Sequence, residues 1–516
     1  MNLAMLLDIP AMIVDEQRAL VDGGDERTYA DLRAAVARST GLLAGLGVGP
    51  GDRVAIVSTN RSELVEVVFA AAARGATAVP MNYRARTGEL SHLLSDSGAK
   101  VLFTERRYLD AVGAVRPGHL ADVLVLDDPD GYPSARDGAD PDDAIADVDD
   151  DELAVLLYTS GTTAQPKGVM LTHGSLSGYV MSRNDAADGT TDGVSLLSAP
   201  LYHIAGLTSL LNALYIGRTT LLLGQFEPGA WLDAVERHRV THAFLVPTML
   251  ARLLDHPHIA AADLSSLEAV TYGAAPMPPA VIRRGLETFP KTVSWSGSYG
   301  QTETTSTVAV LGPDDHEMEG SPEEIETRWR RLSSVGRPLD DVELRVVDTA
   351  GRTLGAGQVG EVQLRTVRAM QGYWGAQEKT RVTLDEAGWV HTGDLGYLDA
   401  GGYLFLTGRA GDLIIRGGEN VAPEEVEAVL YEHSGVAEAA AVGVPDDTWG
   451  ERVVAAVVVR EESDVSAQEL VRFCADRLAP FKRPEQVVVL DELPRTSTGK
   501  VVRRDLLPLV LAALHG

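Results

Sequence analysis

The chain has 516 residues, 45% of them hydrophobic, 23% charged and only 5% aromatic, the balance of a folded globular protein rather than a disordered or fibrous one. A formal charge of −29 repels nucleic acid and anionic lipid over most of the surface, and one cysteine, Cys474, excludes internal disulfides and cysteine metal clusters. No apolar run reaches the roughly 18 residues of a membrane span: the longest, residues 204–223, is broken by Thr208, Asn212 and Arg218.

The N-terminal stretch lacks a basic leader and carries Asp8 within its apolar part, so a cytoplasmic protein is expected. At this length a single core has stopped growing, and two to four domains or subdomains follow. After the turn GVGPGD, residues 53–58 (RVAIVS) predict a strand, and Leu64, Val67, Val68 and Ala71 predict a helical face. Residues 77–80 predict a strand, 87–95 a helix and 101–103 a strand, the βαβ rhythm of a parallel sheet. Residues 127–150 are rich in Asp, Pro and Gly and predict a solvated loop. The fold expected is α/β: a large N-terminal domain of several subdomains, residues 1–411, and a small mobile α+β domain, residues 412–516, set off by the Gly-rich stretch 408–423.

A strand over 153–158 (LAVLLY) runs into the loop TSGTTAQPKGV, residues 159–169, and LTHGSLSGYV then suggests a helix start. Small residues let backbone N–H groups and hydroxyls reach phosphate oxygens, so this arrangement suits phosphate binding. It is not a Walker A loop, since Lys167 lies between Pro166 and Gly168 instead of between glycine and a hydroxyl residue. Alone, it reads rather as a Gly/Ser/Thr surface turn. His256 and His258 have a spacing that metals use, but no carboxylate or cysteine surrounds them in sequence, so no metal site is expected there.

The loop does not stand alone. PLYHIAG at 200–206, YGAAP at 272–276, SYGQTET at 298–304, SVGRP at 334–338, HTGDLGY at 391–397, GRAGDLI at 408–414, GGENVAPEEVE at 417–427 and PRTSTGK at 494–500 accompany it. In order and spacing these nine segments resemble the signature set of the acyl-adenylate-forming superfamily, which includes acyl-CoA synthetases, peptide-synthetase adenylation domains and luciferases. The resemblance covers essentially the whole chain.

It implies two half-reactions: a carboxylate attacks the α-phosphate of ATP to give acyl-AMP and pyrophosphate, and a thiol, usually that of CoA, attacks the acyl-AMP carbonyl. It also implies roles. Lys500 matches the catalytic lysine; Glu303 matches a Mg²⁺-holding carboxylate; Thr302 matches an α-phosphate contact. Thr159, Ser160, Gly161, Thr162, Thr163 and Lys167 match the phosphate loop. Gly273, Ala274, Ala275 and Pro276 match the adenine-facing segment, with Tyr299 beside it and Ser298, Gly300 and Gln301 in the same motif. Asp394 matches the ribose-binding carboxylate and Arg409 a second ribose or phosphate contact. His203, Val246, Gly273 and Gly297 match the acyl pocket, His203 as a contact to the acyl carboxylate or a gate; a lone histidine is otherwise more often structural. Asp412 matches the hinge of a swinging C-terminal domain, and Gly417, Gly418, Trp449, Phe481 and Arg483 a CoA-binding face.

Basic residues from Arg477 to Arg504 predict a local cap on the acidic body, fitting ATP and CoA as ligands. Two departures stand out. Ala164 replaces a customary glycine, adding a Cβ to the loop, and Ala410 and Gly411 lie where many relatives carry a basic residue. No arginine, lysine or histidine occurs from Ser294 to Gln301, so no counter-ion for a second carboxylate is visible there, and a bulky apolar acid is expected. The leading expectation is therefore an acyl-CoA synthetase using ATP, Mg²⁺ and CoA on a small-molecule carboxylic acid. An adenylating ligase serving another acceptor or partner enzyme is the alternative, a non-catalytic binder of the acid or acyl-AMP is remote, and a homodimer is left open.

Overall fold

A computed structural model describes residues 1–159, 165–190, 192–446, 448–460, 463–495 and 501–515. Four sheets carry the described fold. In a nine-stranded sheet, Ser294–Gln301, Ala269–Gly273, His242–Leu245, Val194–Leu197, Thr219–Leu222 and Arg18–Asp22 run parallel, with Ser306–Leu311 antiparallel on one flank. A seven-stranded sheet has Leu153–Thr159, Thr77–Met81, Arg53–Val57, Val101–Thr104 and Asp122–Val125 in parallel. The large core between these two sheets includes Ser62–Ala73, a mostly apolar helix buried throughout except at Glu63.

The predicted strands and helices of the N-terminal part occur, as Arg53–Val57, Ser62–Ala73, Thr77–Met81, Thr87–Ser97 and Val101–Thr104. Two expectations need correction. The helix expected directly after the phosphate loop begins only at His173; before it, Lys167–Thr172 forms a strand antiparallel to Leu153–Thr159. Alternation of buried Val169 and Leu171 with Met170 explains the strand, and the loop therefore joins two strands instead of opening a helix. The acidic stretch 127–150 is not simply a solvated loop. It holds the helix Tyr132–Asp137, because Tyr132 and Arg136 satisfy Glu66, a carboxylate with no exposed surface: the Tyr132 hydroxyl donates to Oε2 at 2.7 Å and Arg136 Nη1 at 2.9 Å. Burying that carboxylate without such partners would cost several kcal/mol (about 3–5 for breaking a buried pair).

An antiparallel four-stranded sheet, Glu343–Val347, Gly360–Arg365, Val390–Leu398 and Leu404–Arg409, follows. A last sheet contains Ile414–Arg416, Glu419–Val421, Val436–Asp446, Gly450–Val459 and Gln486–Val489. It has its own core around Val426, Leu430, Val453, Ala455 and Cys474. Arg460, just past the strand Gly450–Val459, reaches Asp255 at 2.5 Å and ties this sheet to the rest. Among the described residues no helix is long and apolar enough to cross a membrane.

His173 gives the fold a pH dependence. Its ring is fully buried, its Nδ1 accepts the Leu3 N–H at 2.9 Å, and burial pushes its pKa down to about 4. The unfolded histidine titrates near 6.5, so between about 6.5 and 4 the unfolded chain takes a proton that the folded chain refuses. Stability is therefore present above pH 6.5 and falls as pH drops, by up to about 1.4 kcal/mol per unit for this group. Melting temperatures from pH 7 to 5 should fall more steeply in the parent protein than in His173→Gln; equal slopes would exclude this residue as the source.

Candidate active site

In a parallel sheet covered on both faces, strands are expected to be apolar throughout. The central strands here are not. Their alternate residues Val194, Leu196, Leu221, Ala243, Leu245, Val270, Tyr272 and Trp295 pack into one apolar core. Most of the other alternates, Ser195, Thr220, His242, Thr271, Ser296 and Ser298, are polar and, with Leu197, Phe244 and Ala269, face a cavity of about 890 Å³. The opposite wall is the helix Ile204–Tyr215, through Ile204, Thr208, Ser209 and Asn212. The polar half of each strand is thus a cavity floor, running from the starts of the strands to their C-terminal ends.

At those C-terminal ends the chain is tightly constrained. A Cβ on Gly300 would collide with the Ser306 carbonyl, and one on Gly273 with Ser298. Ala274, Thr305 and Ser306 adopt positive φ of 67°, 50° and 76°, conformations costly for residues with a side chain and frequent at functional sites. The turn Thr302–Thr304 between these constraints presents Glu303 to the cavity. Its Oε1 accepts the Tyr373 hydroxyl at 2.8 Å, and Lys167 Nζ sits 4.9 Å from the centre of the Tyr373 ring. Burial and then Lys379 lower the Lys167 pKa, while Glu303 opposes the shift.

Asp394, 5% exposed, is held by donors on both oxygens: Arg409 Nε to Oδ1 at 2.6 Å, and the Tyr299 hydroxyl and Gln301 Nε2 to Oδ2 at 2.6 and 3.0 Å. Burial drives the Tyr299 pKa well up, and the Asp394 charge adds to it. Burial alone would lower the Arg409 pKa, but Asp394 outweighs it and the net shift is upward. Gly393, Arg409, Ala410 and Gly411 line the same cavity. So do Thr159, Lys167, His203, Ala274, Gly297, Ser298, Gly300, Gln301 and Thr302. Burial lowers the His203 pKa to about 3, which leaves its ring neutral at physiological pH.

Other expected residues lie elsewhere. Ser160, Gly161, Thr162, Thr163, Ala164 and Lys500 fall outside the described residues. Val246, at the N-cap of Pro247–Leu254 where the chain has left the sheet, lines a second cleft of about 320 Å³ instead of the main cavity. Arg495 and Leu493 form the opposite side of that cleft, and Arg495 is bridged to Val501. Gly417, Trp449, Phe481 and Arg483 gather around Arg416, which contacts the Trp449 ring and the Phe481 carbonyl; Gly418 lies beside them in the turn at Gly417, and this patch is apart from the cavity. The basic cap is largely neutralised. Arg495 pairs with Glu438 at 2.8 Å, Arg503 with Glu424 at 2.9 Å and Glu427 at 3.0 Å, and Lys482 with Glu425. Folding brings carboxylates from distant parts of the chain to those cations, which sequence proximity does not reveal.

Sequence reasoning missed Tyr373 and Arg368. Arg368, with a side chain 2% exposed, binds Asp341 at 2.6 and 3.1 Å and points its remaining N–H groups at the carbonyls of Thr304, Thr305 and Thr307. It thus clamps the strained turn that follows Glu303. An arginine between Val367 and Ala369 carries no local sign of burial; only the contact with a turn about 60 residues earlier reveals it. Arg368→Met should destabilise the protein by about 3–5 kcal/mol, because Asp341 and three carbonyls lose their cation; a urea midpoint within error of the parent would refute the clamp.

Two family models match the chain: AMP-binding enzyme over residues 12–374 and AMP-binding enzyme C-terminal domain over residues 425–500. A feruloyl-CoA synthase from Amycolatopsis is 38% identical over 489 residues, 95% of each chain. The ATP-bound structure of MatB from Rhodopseudomonas palustris matches with a TM-score of 0.87 and 30% identity, covering 99% of both chains. The amide bond synthetase McbA from Marinactinospora thermotolerans matches with a TM-score of 0.84 and 32% identity, covering 98% of this chain and 99% of that one.

Proposed function

The chain belongs to the AMP-binding enzyme family, and on that premise we propose that it is an ATP-dependent acyl-CoA synthetase that activates a carboxylic acid through acyl-AMP. The observation that carries this reading is a single cavity containing Glu303, Thr302, Lys167, Arg409 and the polar sheet floor, with Asp394 buried against it. In the first half-reaction a carboxylate oxygen of the acid attacks the α-phosphorus of ATP, the bond to the β-phosphate bridging oxygen breaks, and acyl-AMP and pyrophosphate result. In the second, the thiol sulfur attacks the acyl carbonyl, the mixed anhydride opens, and AMP leaves as the thioester forms.

Each step has a group suited to it. Asp394 receives a ribose hydroxyl, and the Tyr299, Gln301 and Arg409 donors fix its orientation before the nucleotide arrives. Lys167 and Lys500 supply positive charge where phosphate charge develops. Charge placed in advance in this way is often the largest catalytic contribution. His203, neutral and half-buried, borders the acid without adding a second charge. The Glu303 carboxylate, a hard oxygen donor facing the cavity with one oxygen already fixed by Tyr373, fits Mg²⁺, which typically takes one or two protein carboxylates. When bound, Mg²⁺ would neutralise phosphate charge. Asp412 serves as the hinge between residues 1–411 and 412–516, about which the last sheet swings to bring the Gly417–Trp449 patch to the site for CoA.

A second reading, transfer of the acyl group to an acceptor other than CoA, draws on two observations: Ala410 and Gly411 line the cavity where a basic residue is customary, and an amide bond synthetase is among the structural neighbours. Mass spectrometry of reactions with ATP, Mg²⁺ and a panel of fatty, aryl and polycyclic acids, with and without CoA, separates them. Acyl-CoA with AMP is expected. Acyl-AMP that persists despite CoA would favour the other acceptor, and no AMP with any acid would refute adenylation.

A further inference from the structure

Far from the nucleotide end, the cavity floor ends in polar groups, two of which carry buried atoms without a hydrogen-bond partner among the described residues. Arg218 lies between the helix Ile204–Tyr215 and the strand Thr219–Leu222, and it lines the cavity. Its Nε is buried and makes no hydrogen bond, and its guanidinium forms no ion pair among the described residues. Two residues on, Thr220 faces the same cavity, and its buried hydroxyl is likewise unsatisfied. His242 completes the group: in register, Thr220 aligns with Ser195 and Ser195 with His242. Among the described residues the carboxylate nearest in effect to Arg218 is that of Glu268, which is exposed on the loop before Ala269–Gly273 and forms no ion pair with it.

A buried guanidinium nitrogen and a buried hydroxyl without partners each cost free energy, and buried polar groups are ordinarily satisfied. We propose that Arg218, with Thr220 and His242, forms an anchor for a hydrogen-bond-accepting oxygen, a carboxylate above all, at the distal end of the acid substrate. This rests on the proposed adenylating function and narrows its substrate class. The expectation of an apolar acid came from the segment 294–301 alone, whereas the cation that faces the pocket comes from the connection between Ile204–Tyr215 and Thr219–Leu222. Register sets the length. The His242 row meets Ala269, four residues before Gly273, so the anchor lies about 13 Å along the strands from the nucleotide end at the usual rise per residue. An elongated acid with a second polar end spans that distance, whereas a short diacid cannot reach both ends.

Dodecanoate, ω-hydroxydodecanoate and dodecanedioate test this at constant chain length. Adenylation of the diacid or the hydroxy acid should exceed that of dodecanoate by about 10-fold or more in kcat/KM, as a charged hydrogen bond provides. Arg218→Met should abolish that preference, and Arg218→Lys should restore part of it. Equal use of all three acids by the parent protein, or an unchanged preference in Arg218→Met, overturns the anchor. Binding of the three acids measured calorimetrically decides the same question independently of turnover. Absence of AMP formation with every acid would therefore count against the adenylating function, while the affinities still support or overturn the anchor.

Discussion

Replacing Lys500 by alanine is expected to slow acyl-AMP formation by about 10²–10³-fold, the usual cost of one lost electrostatic donor at a site of developing charge. The effect should be confined to one half-reaction. The proposed role of Lys500 is to bridge the acid and the α-phosphate, charges that are joined and partly neutralised once acyl-AMP exists, so thiolation of supplied acyl-AMP should proceed near the parent rate. Arg495, five residues before it, lines the cleft that also contains Val246 and Ser198, so this end of the chain already faces the N-terminal part. Pyrophosphate release and acyl-CoA formation from synthetic acyl-AMP measure the two halves separately. Equal loss in both would mean that the substitution had damaged the fold and that the assigned role is wrong.

Asp394→Ala should lower kcat/KM for ATP by about 10–100-fold, the range for hydrogen bonds to a charged group. A carboxylate offers about four lone-pair sites. Arg409, Tyr299 and Gln301 take three of them, which leaves about one for a ribose hydroxyl unless a donor yields. In the proposed role Asp394 is both a nucleotide ligand and the acceptor that holds Arg409, Tyr299 and Gln301. Its loss should also destabilise the protein, by about 1–3 kcal/mol as donors are left without acceptors. The discriminating readout is the dependence on ATP concentration, since a purely structural role would lower activity through the folded fraction and leave KM for ATP unchanged.

Much of this architecture was legible in the sequence because its signals are local. Apolar periodicity marked Arg53–Val57, Ser62–Ala73 and Thr77–Met81, and the spaced motifs pointed to Glu303, Asp394 and Arg409, which folding brings around one cavity. The errors share a cause. Tyr132 and Arg136 sit in an acidic stretch, yet fold over because a buried Glu66 needs them. The basic residues near the C-terminus look like a cationic surface until Glu438, Glu424, Glu427 and Glu425 arrive from other elements.

Arg218 shows the opposite case. In the sequence it merely interrupts an apolar run; in the fold it is a half-buried cation with a buried, unsatisfied Nε and no ion-pair partner among the described residues. The sequence by itself determined the family and several strands and helices of the N-terminal part, and it pointed to residues for the nucleotide end, since short motifs and local periodicity encode these. Only the tertiary structure decided which charges are neutralised and which face the acid, because pairing and burial depend on residues far apart in the chain that meet only when it folds.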